Sequence, residues 1–298
     1  MIVAESTTEP KDTKTGGQSL IQPKIGVALG AGGAKGIAHI PMLEAFDELG
    51  ITPHRIAGSS IGAVIGALYA SGRSAAEIKE MVAHLAITKQ DTFRGVLSDK
   101  KIGKWMKMID PDFSHSGLLK TESMMTGLCQ NRQWSTFEEL SIPLMVVATD
   151  FHRHRSVVLG TGQVQPAVEA SMAMPGVFNP VEIDGRLLID GATTNPVPYD
   201  LLFDSCDVVV AVDINSGSSA DEESKPGYFD IVFGSVQILQ QAIVELGIEA
   251  RPPDLCVRPE LSGVRTLEFY KADEIYRQAQ PAKEELKRRL VGILGSKE

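Results

Sequence analysis

Cysteine is scarce in this sequence, with only Cys129, Cys206 and Cys256 in 298 residues. Their spacing fits neither a CxxC pair nor a zinc pattern, and the odd count argues against a disulfide framework. Ordinary buried thiols in a reducing, cytoplasmic compartment are the expectation. Basic residues are also few. Lys and Arg total 29 against 38 Asp and Glu, a net charge of −9. Phosphate backbones are held by clustered Lys and Arg, so nucleic acid is excluded as a partner class. The same balance offers no general attraction to anionic lipid. Residues 1–24 lack the apolar run of a secretory signal, and no stretch reads as long enough to span a bilayer. Histidine is absent after His154, a gap that bears directly on the chemistry below.

Hydrophobic residues make up 43% of the chain and charged residues 22%, enough for one large core. Residues 1–23 carry little to bury and read as a disordered tail; residues 24–298 read as a single domain. Strands are expected at 25–30, 54–57, 144–149, 156–159, 186–190, 207–212 and 255–258. Helices are expected at 36–49 (stopped by Gly50), 63–70, 74–86, 166–173, 229–246 and 270–291. Residues 217–226 read as polar and flexible. Strands alternating with helices imply an α/β fold with a mostly parallel central sheet covered on both faces.

Gly58-Ser59-Ser60-Ile61-Gly62 lies between an expected strand and an expected helix. A nucleophile elbow needs that context, with Gly58 and Gly62 small enough for the tight turn and Ser60 held out at the strand's end. An ordinary strand-to-helix turn is the alternative. A base must activate such a serine. The histidines are His39, His54, His84, His115, His152 and His154, so none lies late in the chain, where a Ser–acid–His order would place it. A carboxylate can take the proton instead. Asp190, ending an expected strand in Asp190-Gly191-Ala192, is the candidate; strand ends gather at one edge of a parallel sheet, which could bring it to Ser60. Taken alone, Asp190-Gly191 is also a common turn. His39 reads as a packed or capping residue, and His152 and His154, between Arg153 and Arg155, as a solvated turn without a third metal ligand.

Gly30-Ala31-Gly32-Gly33-Ala34-Lys35-Gly36 follows a strand and opens a helix. A P-loop would end in Gly-Lys-Ser/Thr, and a dinucleotide site would want an acid after the second strand; neither is present. The third reading is an oxyanion hole, with backbone N–H groups at Gly32, Gly33 and Ala34 aimed at the oxygen that becomes negative when Ser60 attacks. Lys35 would add charge or brace the loop.

Together these motifs resemble the patatin-like phospholipase family, in its compact bacterial form. Ala38-His39-Ile40, Val146–Asp150, Ala170–Phe178, Leu188–Ala192 and Asn195-Pro196 match as well, and the likeness runs over about residues 24–280. It implies a three-layer α/β/α patatin-like fold and a Ser60–Asp190 dyad with an acyl-serine intermediate. Gly32, Gly33 and Ala34 would form the oxyanion hole, with Gly30, Lys35, Gly36, Gly58, Gly62 and Gly191 supporting loop and elbow. It implies no metal and no organic cofactor. The substrates implied are phospholipids or other acyl esters. A catalytically weak lipid- or protein-binding regulator, or an acyltransferase, would share these residues. Ala31 stands where many members have glycine, Lys35 where arginine is commoner, and Ala192 where a second glycine is familiar. Residues 88–120 hold Phe93, Trp105, Met106 and Met108 beside Lys100, Lys101, Lys104 and Lys107. They are expected to form either surface loop and helix or a lid in transient contact with a membrane surface.

Overall fold

The computed structural model describes residues 23–83, 136–216, 228–266 and 268–295. The expected N-terminal tail, the 88–120 segment with its aromatic and basic residues, the 217–226 stretch, Cys129, His84 and His115 lie outside the described residues.

Residues that alternate along the central strands face two different layers. In β1 (Ile25–Leu29), β2 (Arg55–Ser59) and β7 (Val208–Val212), one face carries Val27, Leu29, Ile56, Val210 and Val212. These bulky side chains pack against α1 (His39–Leu49), α2 (Ile61–Ala70) and the C-terminal helix α6 (Gln280–Gly295). The other face carries the smaller Ala28, Ala57 and Ala211 with Val209. Small residues there let the 3-10 turn Tyr199–Leu202 and helix α4 (Tyr228–Ala250) lie close to the sheet. The result is helix, sheet, helix: a three-layer α/β/α fold.

The sheet order is β5-β6-β3-β2-β1-β7-β8, with β3 at Leu144–Asp150, β5 at Val181–Ile183, β6 at Arg186–Asp190 and β8 at Leu255–Val257. The core run β3-β2-β1-β7-β8 is parallel; β6 runs antiparallel to β3, as does β4 (Arg155–Leu159). Helix α3 (Val164–Ser171) returns the chain toward β5 and β6.

Several boundaries move from their expected places. The helix after the glycine loop begins as a 3-10 turn, Gly33–Ala38, and becomes α-helical at His39. Gly50 does end it, in the left-handed conformation with φ 65°. The final helix is two, α5 (Ala272–Gln278) and α6; Lys283 of α6 pairs with Glu44 and Glu48 of α1. The short β5 has no counterpart in the sequence reading. One reading is corrected: by length and composition, a helix here is long and apolar enough to cross a bilayer, residues 231–250 of α4.

Candidate active site

The one-residue path from β2 into α2 puts Ser60 in a conformation few side chains adopt, with φ 54° and ψ −123°. Two glycines make this turn possible. A Cβ on Gly58 would stand 2.6 Å from the Ala63 backbone, and one on Gly62 would land on the Leu29 carbonyl. The serine is half-buried at the N-terminus of α2, where the helix dipole favours negative charge.

Ser60 Oγ donates to Asp190 Oδ2 at 2.7 Å. The other carboxylate oxygen, Oδ1, accepts the Ala192 N–H at 2.8 Å. Asp190 is buried, and burial raises its carboxyl to about 6, against the smaller opposing pull of its bonds from Ser60 and Ala192. A carboxylate held that way is a better base than one in water. Gly191 must be glycine for the same reason as Gly62: its Cβ would fall on the Val147 carbonyl.

The backbones of both residues are held by side chains the sequence reading did not single out. Ser171, at the end of α3, accepts the Ser60 N–H at 2.9 Å. Thr149 Oγ1 donates to the Asp190 carbonyl at 3.0 Å and shares a 2.8 Å bond with Thr194. Ser59, beside the nucleophile, is fully buried, and its hydroxyl has no partner among the described residues.

The glycine loop lies beside Ser60. A Cβ on Gly36 would run into Ile61, the residue after the serine, and one on Gly30 would come within 2.8 Å of Val197. His39 sits behind the loop, fully buried, with Nε2 2.7 Å from the Gly30 carbonyl. Burial lowers its pKa to about 4, so at neutral pH the ring is uncharged and Nε2–H donates. This is the packed role expected for His39. Asn215 Nδ2 donates to the Ala31 carbonyl at 2.9 Å, and Asp213 Oδ1 accepts the Asn215 N–H. Lys35 is buried, which lowers its pKa, while Asp213 acts in the opposite direction.

The three expected oxyanion donors are not equivalent. The Ala34 N–H donates to the Thr266 carbonyl at 2.8 Å, while the N–H groups of Gly32 and Gly33 meet no acceptor among the described residues. Gly33 is at φ 57°, and a Cβ there would collide with the Thr266 carbonyl. His152 and His154 are exposed on the β3–β4 turn. Among the described residues no group of three or more His, Cys, Asp or Glu side chains is placed to hold a metal ion.

A family model described as patatin-like phospholipase matches residues 27–203. An NTE family protein of Mycobacterium tuberculosis is 38% identical over 199 residues, covering 66% of this chain and 51% of that protein. The chain therefore spans about half the length of that relative. Human patatin-like phospholipase domain-containing protein 6 is 29% identical over 287 residues, covering 85% of this chain and 19% of that protein. The crystal structure of VipD from Legionella pneumophila shares the fold, with a TM-score of 0.54 and 13% identity over 90% of this chain and 67% of that one.

Proposed function

Because the chain belongs to the patatin-like phospholipase family, we propose that it is a lipid acyl hydrolase working through Ser60 and Asp190. The observation that carries this reading is the 2.7 Å bond from Ser60 Oγ to Asp190 Oδ2. In the first step Asp190 takes the Ser60 proton as Oγ bonds to the ester carbonyl carbon. The carbonyl oxygen becomes negative and turns toward the N–H groups of Gly32 and Gly33; one such donor is worth roughly 3–4 kcal/mol in comparable sites. The bond to the alcohol then breaks, Asp190 protonates the departing oxygen, and the acyl group stays on Ser60. Water enters, gives its proton to Asp190 and attacks the acyl carbon. Ser60 leaves with that proton, and the fatty acid is free.

Ala34 drops out of the donor set in this scheme, since its N–H is already bonded to Thr266. Family membership supports a lipid substrate, and phospholipids or other acyl esters are the class this reading assigns. The test is hydrolysis of short and long acyl esters by the unaltered chain, Ser60→Ala and Asp190→Asn, with a serine-directed phosphonate as a label. The unaltered chain should turn over and be labelled at Ser60. Equal rates in all three, or no label at Ser60, would end this reading.

A further inference from the structure

Helix α4 has two unlike sides. Gln237 and Gln241 point into the domain, donating to Thr266 Oγ1 at 2.8 Å and Asp213 Oδ2 at 3.4 Å, and Val244 is buried beside them. The opposite side carries Ile231, Val232, Val236, Ile238, Leu239 and Leu246, all exposed; Ile238 is 71% and Leu239 66% accessible. At about 100° per residue these six fall within an arc of roughly 160°, one continuous face. Exposed apolar surface on that scale marks an interaction site.

We propose that this face of α4 docks on zwitterionic lipid of no net charge and thereby seats the Ser60 site on its substrate surface. The proposal rests on the lipid hydrolase reading for its occupant. Its own support is position and charge. The helix packs against Gly191–Thr193, the turn directly after Asp190, and through Gln237 it touches Thr266, whose carbonyl holds the glycine loop. The helix thus borders the reactive centre with its inner side, so lipid held on its outer face lies about one helix diameter (~10 Å) from that centre, where a second copy of the chain would stand between the site and a lipid aggregate. From residue 231 to 243 the helix has no Asp, Glu, Lys or Arg. Further on, Glu245 is paired with Arg258 at 2.6 Å, and Glu249 is exposed at the far end of the face. A face without cations, on a chain of net charge −9, suits phosphocholine and is repelled by anionic headgroups. Because Gln237 and Gln241 are bonded into the domain, the helix lies along the lipid surface rather than across it.

The experiment uses the full chain with Ser60→Ala, so that vesicles survive, and measures co-flotation with phosphatidylcholine vesicles. Binding is expected, and weaker binding when phosphatidylglycerol is added. Ile238→Asp with Leu239→Asp should lower vesicle binding at least about tenfold. In the Ser60 chain the same pair should leave hydrolysis of a short water-soluble ester unchanged. The proposal is overturned if the unaltered face does not bind, or if the aspartate pair binds as well as before. It is also overturned if the pair merely splits a dimer in solution while vesicle binding persists. Should the pair not fold, Ile238→Trp in a chain with Trp105→Phe and Trp134→Phe decides: quenching by brominated lipid supports docking, and no quenching overturns it. Vesicle binding without any ester hydrolysis would remove the enzymatic reading and leave the docking face standing; the converse would do the reverse.

Discussion

Ser60 and Asp190 meet end to end: each stands at the carboxyl end of a strand, and the two strands run toward one another along the same edge of β3. Ser59 of β2 pairs with Val147, and Asp190 of β6 pairs with Ala148, the next residue up. Both β2 and β6 must lie on the same side of β3, because β4 pairs with Val146–Asp150 on the other. The nucleophile and the carboxylate are therefore spaced by the register of one strand. Such a separation does not depend on loop geometry, which is how a 2.7 Å contact is kept across 130 residues of chain.

Burying an ionised carboxylate opposes folding, so Asp190→Asn should trade activity for stability. Asparagine keeps the shape and can still accept from Ala192, but it cannot take a proton. The folded pKa of about 6 lies above the unfolded value near 3.8. The group therefore favours the folded state most below pH 4, and that contribution is lost as pH rises through about 6. A shift of that size corresponds to roughly 3 kcal/mol. Urea unfolding at pH 8 should find the Asn variant more stable by about that amount, with the gap shrinking toward pH 4. In the unaltered chain, kcat/KM for a short ester should fall about tenfold per pH unit below 6, since only ionised Asp190 accepts the proton. An acid limb near pH 4 would contradict the assignment.

What could be seen in the sequence was what sterics and elimination decide. Gly58, Gly62 and Gly191 are legible because no side chain fits where their backbones touch other chains of atoms. Asp190 is legible because no histidine follows residue 154. Strand direction is not legible: a buried strand reads the same either way, so the expectation that parallel strand ends gather named the right neighbours for the wrong reason. Thr149 and Ser171 lay in stretches that match the family, but their roles, like that of Asn215, were missed because serine, threonine and asparagine are common everywhere and those roles exist only through contacts distant in sequence. The helix around 229–246 was foreseen, but not that its apolar side faces outward, since a periodic pattern cannot say which face the domain covers.

The Ser60 backbone stores strain that catalysis requires and folding does not. At φ 54° a non-glycine residue is disfavoured, by about 1–3 kcal/mol in comparable sites. Ser60→Gly and Ser60→Ala should both be inactive, yet the glycine variant should be the more stable by about 1 kcal/mol, after allowing for glycine's freer unfolded chain. Parallel thermal melts would show it. Equal stability of the two would mean the turn relaxes when the side chain is removed.

Ser171 acts on the nucleophile through its backbone. With Ser171→Ala, the Ser60 N–H loses its acceptor at a half-buried position, which costs about 1 kcal/mol of stability. The elbow should also loosen, lowering kcat about tenfold with KM unmoved. Asp190 keeps its surroundings, so the acid limb should stay near pH 6. A displaced limb would mean that the substitution reaches the carboxylate itself.

The joint between the two strand ends is the least tolerant point in the molecule. Gly191 follows Asp190 directly, and its Cβ would fall on the Val147 carbonyl and within 2.9 Å of Ser59 Oγ. The Val147 carbonyl cannot swing away, because Val147 is bound to both β2 and β4. Gly191→Ala must push β6 off the edge of β3 and carry Asp190 with it. Destabilisation beyond about 4 kcal/mol is expected, with most of the protein insoluble on expression. Any folded fraction should react slowly with a serine-directed phosphonate, because its carboxylate no longer reaches Ser60. Gly185, by contrast, sits in the β5–β6 turn at φ 68° with open space around it. Gly185→Ala should cost only about 1 kcal/mol and leave activity intact, which separates backbone strain from collision at the joint.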